Sequence, residues 1–152
     1  MAIKITKATV KDALKILELQ KLCFKSEAEL YGLESVPPML ETLPEFRAEF
    51  KKYVFLKAVK GKRIIGSLRV RIRGKSIYIG RVIVHPDHQD HGLGTRLMLA
   101  VEELFPKIRR FWLMTGHKST KNLHFYKKLG YKQFGKKHYF KNLSMVYLEK
   151  YR

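Results

Sequence analysis

Between residues 81 and 105 the chain runs directly from a strand through a glycine-containing loop into a helix. The strand reads RVIV, the loop HPDHQDHGLG and the helix TRLMLAVEELF. Gly92 and Gly94 let backbone N–H groups approach a ligand, and a helix N-terminus adds unpaired donors and the positive end of the dipole. The segment therefore predicts an α/β fold with a pyrophosphate-binding turn. A tight turn without a ligand is the alternative, because the spacing matches neither GxxxxGKS/T nor GxGxxG.

The rest of the sequence reads as one alternation of strands and helices, in the order β-α-α-β-β-β-α-β-α-β-β. IKITKAT alternates as a first strand, and Thr9 with Asp12 forms a capping box for a helix that continues to about Phe24. The apolar side of that helix is predicted to contain Leu14, Ile16, Leu17, Leu19 and Leu22. A loop broken by Pro37 and Pro38 follows.

Thr42 and Glu45 are predicted to cap the next helix, PEFRAEFKK. Three strands joined by short turns follow, YVFLKAV, RIIGSLRVRIR and SIYIGRVIV. In the second of these strands Arg69, Arg71 and Arg73 share one face, which we expect to be solvated or to face an anion. After the central helix, RFWLMT is a strand, TKNLHFYKKLG a helix closed by a glycine, and YKQFGKKHYFKNLSMVYLEK a last pair of strands.

Length and composition fit one domain covering residues 1–152, because 45% of the side chains are apolar and can form a continuous core. No stretch approaches the roughly 20 apolar residues that span a bilayer, and the N-terminus lacks the apolar region of a secretory signal. We therefore expect a cytoplasmic protein with no membrane partner. Cys23, the single cysteine, is expected to be a buried and inert thiol.

Positive charge is concentrated after the first third of the chain. The formal net charge is +19, yet residues 1 to 50 hold seven basic and eight acidic side chains. A field of this kind attracts polyanions, which here include nucleic acid, an anionic membrane surface and a phosphate-rich cofactor.

Three histidines recur every three residues in the loop, at His85, His88 and His91. Imidazole is a good zinc ligand, but Pro86 and the loop glycines argue against the helix on which ligands could be aligned. A loop could still gather three ligands, although no distant Cys or His cluster completes a set. We therefore expect solvated loop histidines and no metal.

The segment VIVHPDHQDHGLGTRLM resembles the acetyl-coenzyme A signature Q/R-x-x-G-x-G/A of the GNAT superfamily of acetyltransferases. Gln89, Gly92 and Gly94 occupy its fixed positions. Further on, NLHFYKKLGYK is similar to the superfamily's N-x-x-x-Y-x-x-x-G-F/Y motif, with its fixed positions at Asn122, Tyr126, Gly130 and Tyr131. The order of strands and helices also matches, so the resemblance covers nearly the whole chain.

The resemblance implies the GNAT fold, a mixed and mostly antiparallel sheet of about seven strands, flanked by about four helices and splayed between the fourth and fifth strands. It also implies acetyl-coenzyme A as cofactor, with its pantetheine arm along the strand before the loop and its pyrophosphate on the loop amides. The cofactor-binding residues implied in this way are Val82, Ile83, Val84, Gln89, His91, Gly92, Leu93, Gly94, Thr95, Ser119, Asn122 and Tyr126.

Direct transfer of the acetyl group to a primary amine, in a ternary complex and without a side-chain nucleophile, is what the resemblance implies for the reaction. Tyr126 would lie near the thioester sulfur and protonate the departing thiolate as general acid. A core aromatic at helical spacing is the alternative for Tyr126. A backbone N–H around Val82 to Val84 would stabilise the oxyanion.

The general base is where the sequence departs from the family pattern. Many relatives carry a glutamate on the fourth strand or at the end of the fifth, but those regions here read YIGRVIV and FWLMTG. The alternatives are proton transfer through water, His117 just after the fifth strand, and Glu34 or Glu41 of the proline loop.

The identity of the acceptor is indicated by two cues that disagree. Tyr31, Glu34 and Glu41 could receive a cationic amine such as a polyamine, an aminoglycoside or a lysine side chain. The basic last hairpin, GKKHYFKN, would instead suit a nucleotide-linked or acidic substrate. The acceptor is thus an amine-bearing small molecule or protein, and a homodimer through the late strands is one option by analogy with the family.

A nucleic-acid or ribosome-surface binding module with a vestigial cofactor loop is the alternative function. Residues 104 to 152 contain thirteen basic side chains and one acid, with Phe and Tyr interleaved, and the arginine face described above adds a basic stripe. Against this reading, no helix-turn-helix, RRM or zinc-finger pattern is present, and a basic balance also serves solubility. We therefore favour the enzyme, and a nucleic-acid partner stays the weaker alternative.

Overall fold

Seven strands form one sheet in which spatial order departs from chain order only at the end. The computed structural model describes residues 2–152, and its strands are β1 (Ile3–Lys7), β2 (Val54–Lys60), β3 (Arg63–Arg73), β4 (Ser76–Val84), β5 (Arg110–Gly116), β6 (Lys132–Phe140) and β7 (Leu143–Tyr151). Their order across the sheet is β1-β2-β3-β4-β5-β7-β6. Neighbouring strands are antiparallel except for the parallel β4–β5 pair. The expected α/β fold with a mixed, mostly antiparallel sheet is confirmed.

Helices pack on both faces of this sheet. They are α1 (Ala13–Leu30), α2 (Pro37–Leu40), α3 (Leu43–Glu49), α4 (Leu93–Leu104) and α5 (Thr120–Lys128), with single 3-10 turns at Val10–Asp12 and Pro86–His88. Contacts join α1 to β3, β4, α2 and α3, whereas α4 contacts β2, β3 and β4. No helix within residues 2–152 is both long enough and apolar enough to cross a bilayer.

Alternation of side chains along the central strands divides the core into two clusters. Leu68 faces α4, where it belongs to the same apolar cluster as Leu97. Phe55 faces the other way and packs with Ile16 of α1 and Phe46 of α3. The ring centroids of Phe46 and Phe55 lie 5.5 Å apart in an edge-to-face arrangement that favours aromatic pairs. The middle of the sheet is therefore buried on both faces.

The parallel strands β4 and β5 separate soon after they meet. Their pairing is confined to Ser76, Ile77 and Tyr78 opposite Arg110, Phe111 and Trp112. Beyond this point the register between β3 and β4 shifts, and Arg81 adopts a left-handed φ of 51°. A non-glycine residue with positive φ is uncommon, and an extra residue in one strand bends it away from its neighbour. The splay predicted between the fourth and fifth strands is confirmed.

The predicted helix cap at Thr42 agrees with the structure, whereas the predicted end of the first helix and the loop after it do not. The Thr42 hydroxyl accepts the N–H of Glu45 at 3.3 Å, and the Glu45 carboxylate accepts the N–H of Thr42 at 2.9 Å, so that capping box is confirmed. The first helix continues to Leu30 instead of ending near Phe24. A one-turn helix, α2, stands where a loop was predicted, because Pro at the first helical positions is compatible with a helix start.

Two expectations about burial are wrong for α1. Leu14 and Leu22 are each 47% exposed, although the helical pattern placed them on the apolar side. Gln20 is buried instead, and its amide donates to the carbonyl of Pro38 at 2.8 Å and to Glu41 at 2.9 Å. A short connection from α1 to α2 therefore covers a part of the helix that periodicity alone would leave open.

The arginine face of β3 is not solvated at its centre. Arg69 is 7% exposed, its guanidinium carbon lies 4.9 Å from the Tyr53 ring centroid, and its Nη1 lies 3.5 Å from Oε2 of Glu41. Of the two expectations for this face, solvation is therefore wrong at Arg69, which faces a carboxylate. Arg73 at the strand end is exposed, because it projects beyond the residues that cover Arg69.

A close approach between Tyr31 and Gly116 joins the end of α1 to the end of β5. Tyr31 is 3% exposed, and its hydroxyl accepts the N–H of Lys118 at 2.9 Å. A Cβ atom at Gly116 would lie 2.0 Å from the Tyr31 hydroxyl oxygen and 2.8 Å from Cζ. Glycine is required here by space and not by backbone conformation.

Replacing Gly116 with alanine is expected to destabilise the protein by about 1–3 kcal/mol, because the added methyl group overpacks a buried contact. Thermal and denaturant unfolding measure the loss. Gly135→Ala is the matched control, since the nearest atom to its added Cβ is 3.7 Å away. Equal stability losses in the two variants would contradict the contact with Tyr31 as the cause.

Candidate functional site

The end of β4 forms the first wall of the site. Val82, Ile83 and Val84 follow the bulge at Arg81, where β4 no longer pairs with β5. The carbonyl of Val84 accepts the Gln89 side-chain amide at 3.1 Å and the Cys23 thiol at 3.4 Å. The signature glutamine thus folds the loop back onto the strand.

Cys23 is a hydrogen-bonded thiol at this wall. Burial raises the pKa of Cys23 to about 12, against the smaller opposing effect of its hydrogen bond to Val84. The nucleophilic form of cysteine is the thiolate, which is therefore disfavoured at neutral pH. The side chain contributes packing and one hydrogen bond to the site.

The start of α4 forms the second wall and offers free backbone donors. Asp90 and Gly92 both have left-handed φ angles, 63° and 79°, which turn the loop into the helix. The first bond of the helix is donated by Arg96 to the Gly92 carbonyl, so the N–H groups of Leu93, Gly94 and Thr95 have no backbone acceptor within residues 2–152. Nothing lies within 4 Å of a Cβ built at Gly92, so the space beside it is open.

These features fit the phosphate groups of a nucleotide cofactor. Free N–H groups at a helix N-terminus, together with the positive end of the dipole, bind anions without any basic side chain. Leu93 is buried and anchors the turn, whereas Gln89 and His91 are exposed on its outer side. The cofactor residues inferred from the signature therefore lie together along one continuous backbone path.

The start of α5 closes the site from the third side. A Cβ at Gly94 would lie 3.1 Å from Cζ of Phe125, so the α4 turn and α5 are in direct contact. Ser119 caps α5 and is 4% exposed, and Asn122 lies in its first turn. The second sequence motif is thus brought beside the first, as a cofactor site formed by both would require.

Glu27, in the last turns of α1, is a site residue that the sequence analysis missed. Its carboxylate accepts the Ser119 hydroxyl at 2.6 Å and the Asn122 amide at 3.3 Å. A carboxylate from α1 therefore holds two polar side chains at the start of α5. The only signal in the sequence was a charged residue within an extended α1, which by itself is typical of a solvated helix surface.

Tyr126 lies in α5, 7% exposed, and belongs to the cluster under α4. Burial raises the pKa of Tyr126 above its ordinary value, and Tyr78 and Glu27 add to the effect. Its ring is 5.0 Å from that of Phe125. The hydroxyl therefore stays protonated at neutral pH, which is the state that a general acid needs.

His117 and Tyr31 lie beside one another behind α5, with ring centroids 5.6 Å apart. Nδ1 of His117 is 3.1 Å from the Ser144 N–H and 3.2 Å from the Ser144 carbonyl, so β7 holds the ring. Nε2 is free of hydrogen bonds from the described residues. Tyr31 is engaged with Lys118 and lies 3.4 Å from the Ser119 hydroxyl.

The two acids of the proline loop occupy different surroundings. Glu34 is exposed and makes no ion pair with any other residue of the described chain. Glu41 accepts Arg81 Nε at 3.2 Å and Gln20 at 2.9 Å, and Arg69 lies 3.5 Å from it. A cationic amine at Glu41 would therefore have to compete with two guanidinium groups.

Of the loop histidines, His85 is engaged in local hydrogen bonds, whereas His91 is exposed. His85 Nδ1 accepts the N–H of Asp87 at 3.1 Å, and its Nε2 is 2.9 Å from an Arg63 nitrogen. Across residues 2–152 no group of three or more His, Cys, Asp or Glu side chains is arranged to hold a metal ion.

Solved structures with this fold include several acetyltransferases. The PaiA N-acetyltransferase from Thermoplasma acidophilum, solved with coenzyme A, is 19% identical, with a TM-score of 0.83 and coverage of 100% of both chains. The ribosomal-protein-S18-alanine N-acetyltransferase from Escherichia coli is 13% identical, with a TM-score of 0.81 over 99% of this chain and 94% of the other. At these identities the likeness establishes the fold alone.

Sequence comparison adds a relative and a family. The UPF0157 protein YqkA of Bacillus subtilis (strain 168) is 22% identical over 121 residues, which are 80% of this chain and 35% of that protein. The chain thus spans about a third of the length of this relative. The profile of the acetyltransferase (GNAT) family matches residues 14–131, which is well over half of the chain. The chain therefore belongs to the acetyltransferase (GNAT) family, as its two motifs indicated.

Proposed function

We propose that this acetyltransferase moves the acetyl group of its cofactor, acetyl-coenzyme A, directly to a primary amine in a ternary complex. The observation that carries the proposal is the opening between β4 and β5. It is lined by the free amides at the start of α4 and by the first turns of α5. Both sequence motifs border this one opening, and Tyr126 belongs to the second of them.

The residues that would hold acetyl-coenzyme A follow the three walls of the opening. The strand end would accompany the pantetheine arm, the α4 turn would bind the pyrophosphate, and the start of α5 would contact the arm from the other side. In chain order they are Val82, Ile83, Val84, Gln89, His91, Gly92, Leu93, Gly94, Thr95, Ser119, Asn122 and Tyr126.

The cofactor supplies a thioester carbon that an amine can attack. Backbone N–H groups near the β4 bulge are suited to stabilise the oxyanion, because they are fixed in place where the strand leaves its neighbour. Tyr126 is suited to donate its phenolic proton to the departing thiolate. Neither step needs a covalent enzyme intermediate, in keeping with the protonated state of Cys23.

Removal of the amine proton is assigned to His117 or to water. Nδ1 of His117 either accepts the Ser144 N–H at 3.1 Å or donates to the Ser144 carbonyl at 3.2 Å, and Nε2 is a free acceptor only in the second tautomer. Glu41 is held by two arginines, and Glu34 is exposed on the loop.

Because the Escherichia coli neighbour is named for acetylating an alanine of a ribosomal protein, a peptide N-terminus is one acceptor class for this chain.

Gly92→Asp is expected to weaken acetyl-coenzyme A binding about tenfold or more, because a carboxylate beside the pyrophosphate repels it. Asp tolerates the left-handed backbone that Gly92 adopts. Calorimetric titration at physiological salt, with ATP as a charge control, measures the affinity. Gly74→Asp is the matched control, since Gly74 has a φ of 60° and open space like Gly92 but lies in the β3–β4 turn. A similar loss in both variants would refute the placement of the pyrophosphate.

Tyr126→Phe is expected to lower kcat about 100-fold or more, because the thiolate loses its proton donor. Acetyl-coenzyme A affinity should stay within about twofold, since only a hydroxyl is removed. Release of free thiol measures turnover, and calorimetry measures binding. An unchanged kcat would mean that Tyr126 is only a core aromatic.

The pH profile of kcat/KM gives a second test of Tyr126. Its pKa is raised by burial above the ordinary tyrosine value of 10, so the acid form persists throughout the range from pH 7 to 10. We therefore expect that any fall in kcat/KM over that range also occurs in Tyr126→Phe. A descending limb near pH 8 that is lost in the phenylalanine variant would contradict the raised pKa.

Glu27→Gln is expected to raise the KM for acetyl-coenzyme A about three- to tenfold while kcat changes less than twofold. The variant replaces an oxygen that orients Ser119 and Asn122 with an amide, and hydrogen bonds to charged groups are worth roughly 1.5–3 kcal/mol. Glu29→Gln is the control, because Glu29 is exposed on the same helix. A lower melting temperature with unchanged KM would assign Glu27 a purely structural role.

A further inference from the structure

Three arginines lie on one face of the sheet, and two of them, Arg69 and Arg81, contact the same carboxylate, that of Glu41. Arg69 and Arg71 project from β3, and Arg81 from the β4 bulge reaches the same side. Glu41 is the one acid within 4 Å of these guanidinium groups in the described part of the chain. The cluster therefore carries an excess of positive charge in a place where part of it is removed from water.

Arg69 leaves buried hydrogen-bonding groups without partners. The side chain is 8% exposed, and its Nε and Nη1 atoms have no hydrogen-bond partner, because Nη1 approaches Glu41 without bonding geometry. The rings of Tyr53, Phe46 and Phe55 surround the guanidinium at 4.9 to 6.0 Å from its carbon. A buried donor without an acceptor costs free energy, so an anion that accepted hydrogen bonds from Arg69 would be bound favourably.

The cluster lies next to the place proposed for the thioester. Arg69 pairs directly with Gly80 across β3 and β4, and Arg81 immediately precedes Val82. Tyr78 lies over Gly80, since a Cβ there would be 3.1 Å from the Tyr78 hydroxyl. Burial raises the pKa of Tyr78, whereas the charges of Arg81 and Arg69 oppose the rise. The arginines therefore lie beside the strand end along which the pantetheine arm is proposed to run.

We propose that Arg69, Arg71 and Arg81 form a carboxylate-binding site, and that the acceptor is an amine with a carboxylate a few bonds from its nitrogen. The inference rests on the proposed acetyl transfer and names its substrate class. Guanidinium groups match carboxylates in a bidentate geometry, which fixes orientation as well as affinity. The carboxylate would hold the acceptor while its amine reaches the thioester.

The site also decides between the two conflicting cues about the acceptor. Of the two acidic residues expected to attract a cation, Glu41 is already neutralised and Glu34 is exposed on the loop, while Tyr31 is buried against the β5–α5 connection. Arginine charge remains in excess over that carboxylate. A polyamine or an aminoglycoside would be repelled at this face, whereas an amino acid or a peptide with an acidic first residue would be attracted.

Matched substrates test the proposal with the protein of residues 1–152 and saturating acetyl-coenzyme A. Phenylalanine, histidine and arginine are compared with their amides, and aspartyl-alanine with asparaginyl-alanine, by thiol release. We expect kcat/KM to favour the carboxylate member by about tenfold or more in at least one pair, as a charge-assisted hydrogen bond would give. The lower amine pKa of the amides works against this result, so a preference for the acid is not an effect of amine basicity.

Arginine variants locate the effect. Arg81→Gln and Arg71→Gln should reduce the preference toward unity, whereas Arg73→Gln should leave it unchanged, because Arg73 is exposed on the same strand. Arg69→Gln removes a buried residue, so its melting temperature is measured first. A preference for the amides, or a preference for acids that survives in Arg81→Gln, would overturn the proposal.

Binding separates this proposal from the enzyme function itself. If no member of any pair is acetylated, calorimetry of the same acids against the protein saturated with coenzyme A decides the question. Absence of carboxylate-dependent binding would overturn the site and leave the arginines a purely structural ion cluster. Acetyl-coenzyme A binding that is lost in Gly92→Asp would still support the acetyltransferase site, whereas its absence in the wild-type protein would sink both.

Discussion

The site depends on a parallel strand pair that holds over three residues and then parts. Backbone groups that lose a strand partner inside a protein need another one, so such an opening is costly unless something fills or covers it. Here β4 bulges at Arg81 while β5 continues beside β7. The opening therefore presents a free strand edge to the starts of α4 and α5. Continuous pairing along β4 would close the place where cofactor and acceptor are proposed to meet.

The extended α1 braces both sides of this opening. Cys23 bonds the end of β4, Glu27 bonds the start of α5, and Tyr31 bonds the chain between β5 and α5. Three contacts from successive turns thus connect one helix to strands that no longer bond to each other. This role explains why α1 continues past Phe24, although the apolar pattern weakens there. The exposed leucines Leu14 and Leu22 of α1 lie outside the region that the sheet covers.

Local patterns were sufficient wherever a residue's role is decided by its neighbours in the chain. The capping box at Thr42 and the turn at Gly92 were predicted because caps and left-handed turns depend on a few adjacent residues. The exposure of Leu14 and the burial of Gln20 and Arg69 were not predictable from neighbouring residues. Each depends on which distant element covers that face, and α1 periodicity or strand alternation gives only the direction of a side chain. The same limit concealed Glu27 from the sequence analysis.

The sequence by itself determined the order of elements except for the one-turn α2, the two motifs and therefore the family. These are properties of short segments, whose hydrophobic period and glycine positions need no long-range information. Only the tertiary structure decided which charges meet. It placed Glu27 on Ser119 and Asn122 across more than 90 residues, and it placed Glu41 between two arginines of different strands. The physical reason is that electrostatic partners are selected by distance and burial in space, and neither quantity is encoded by spacing along the chain.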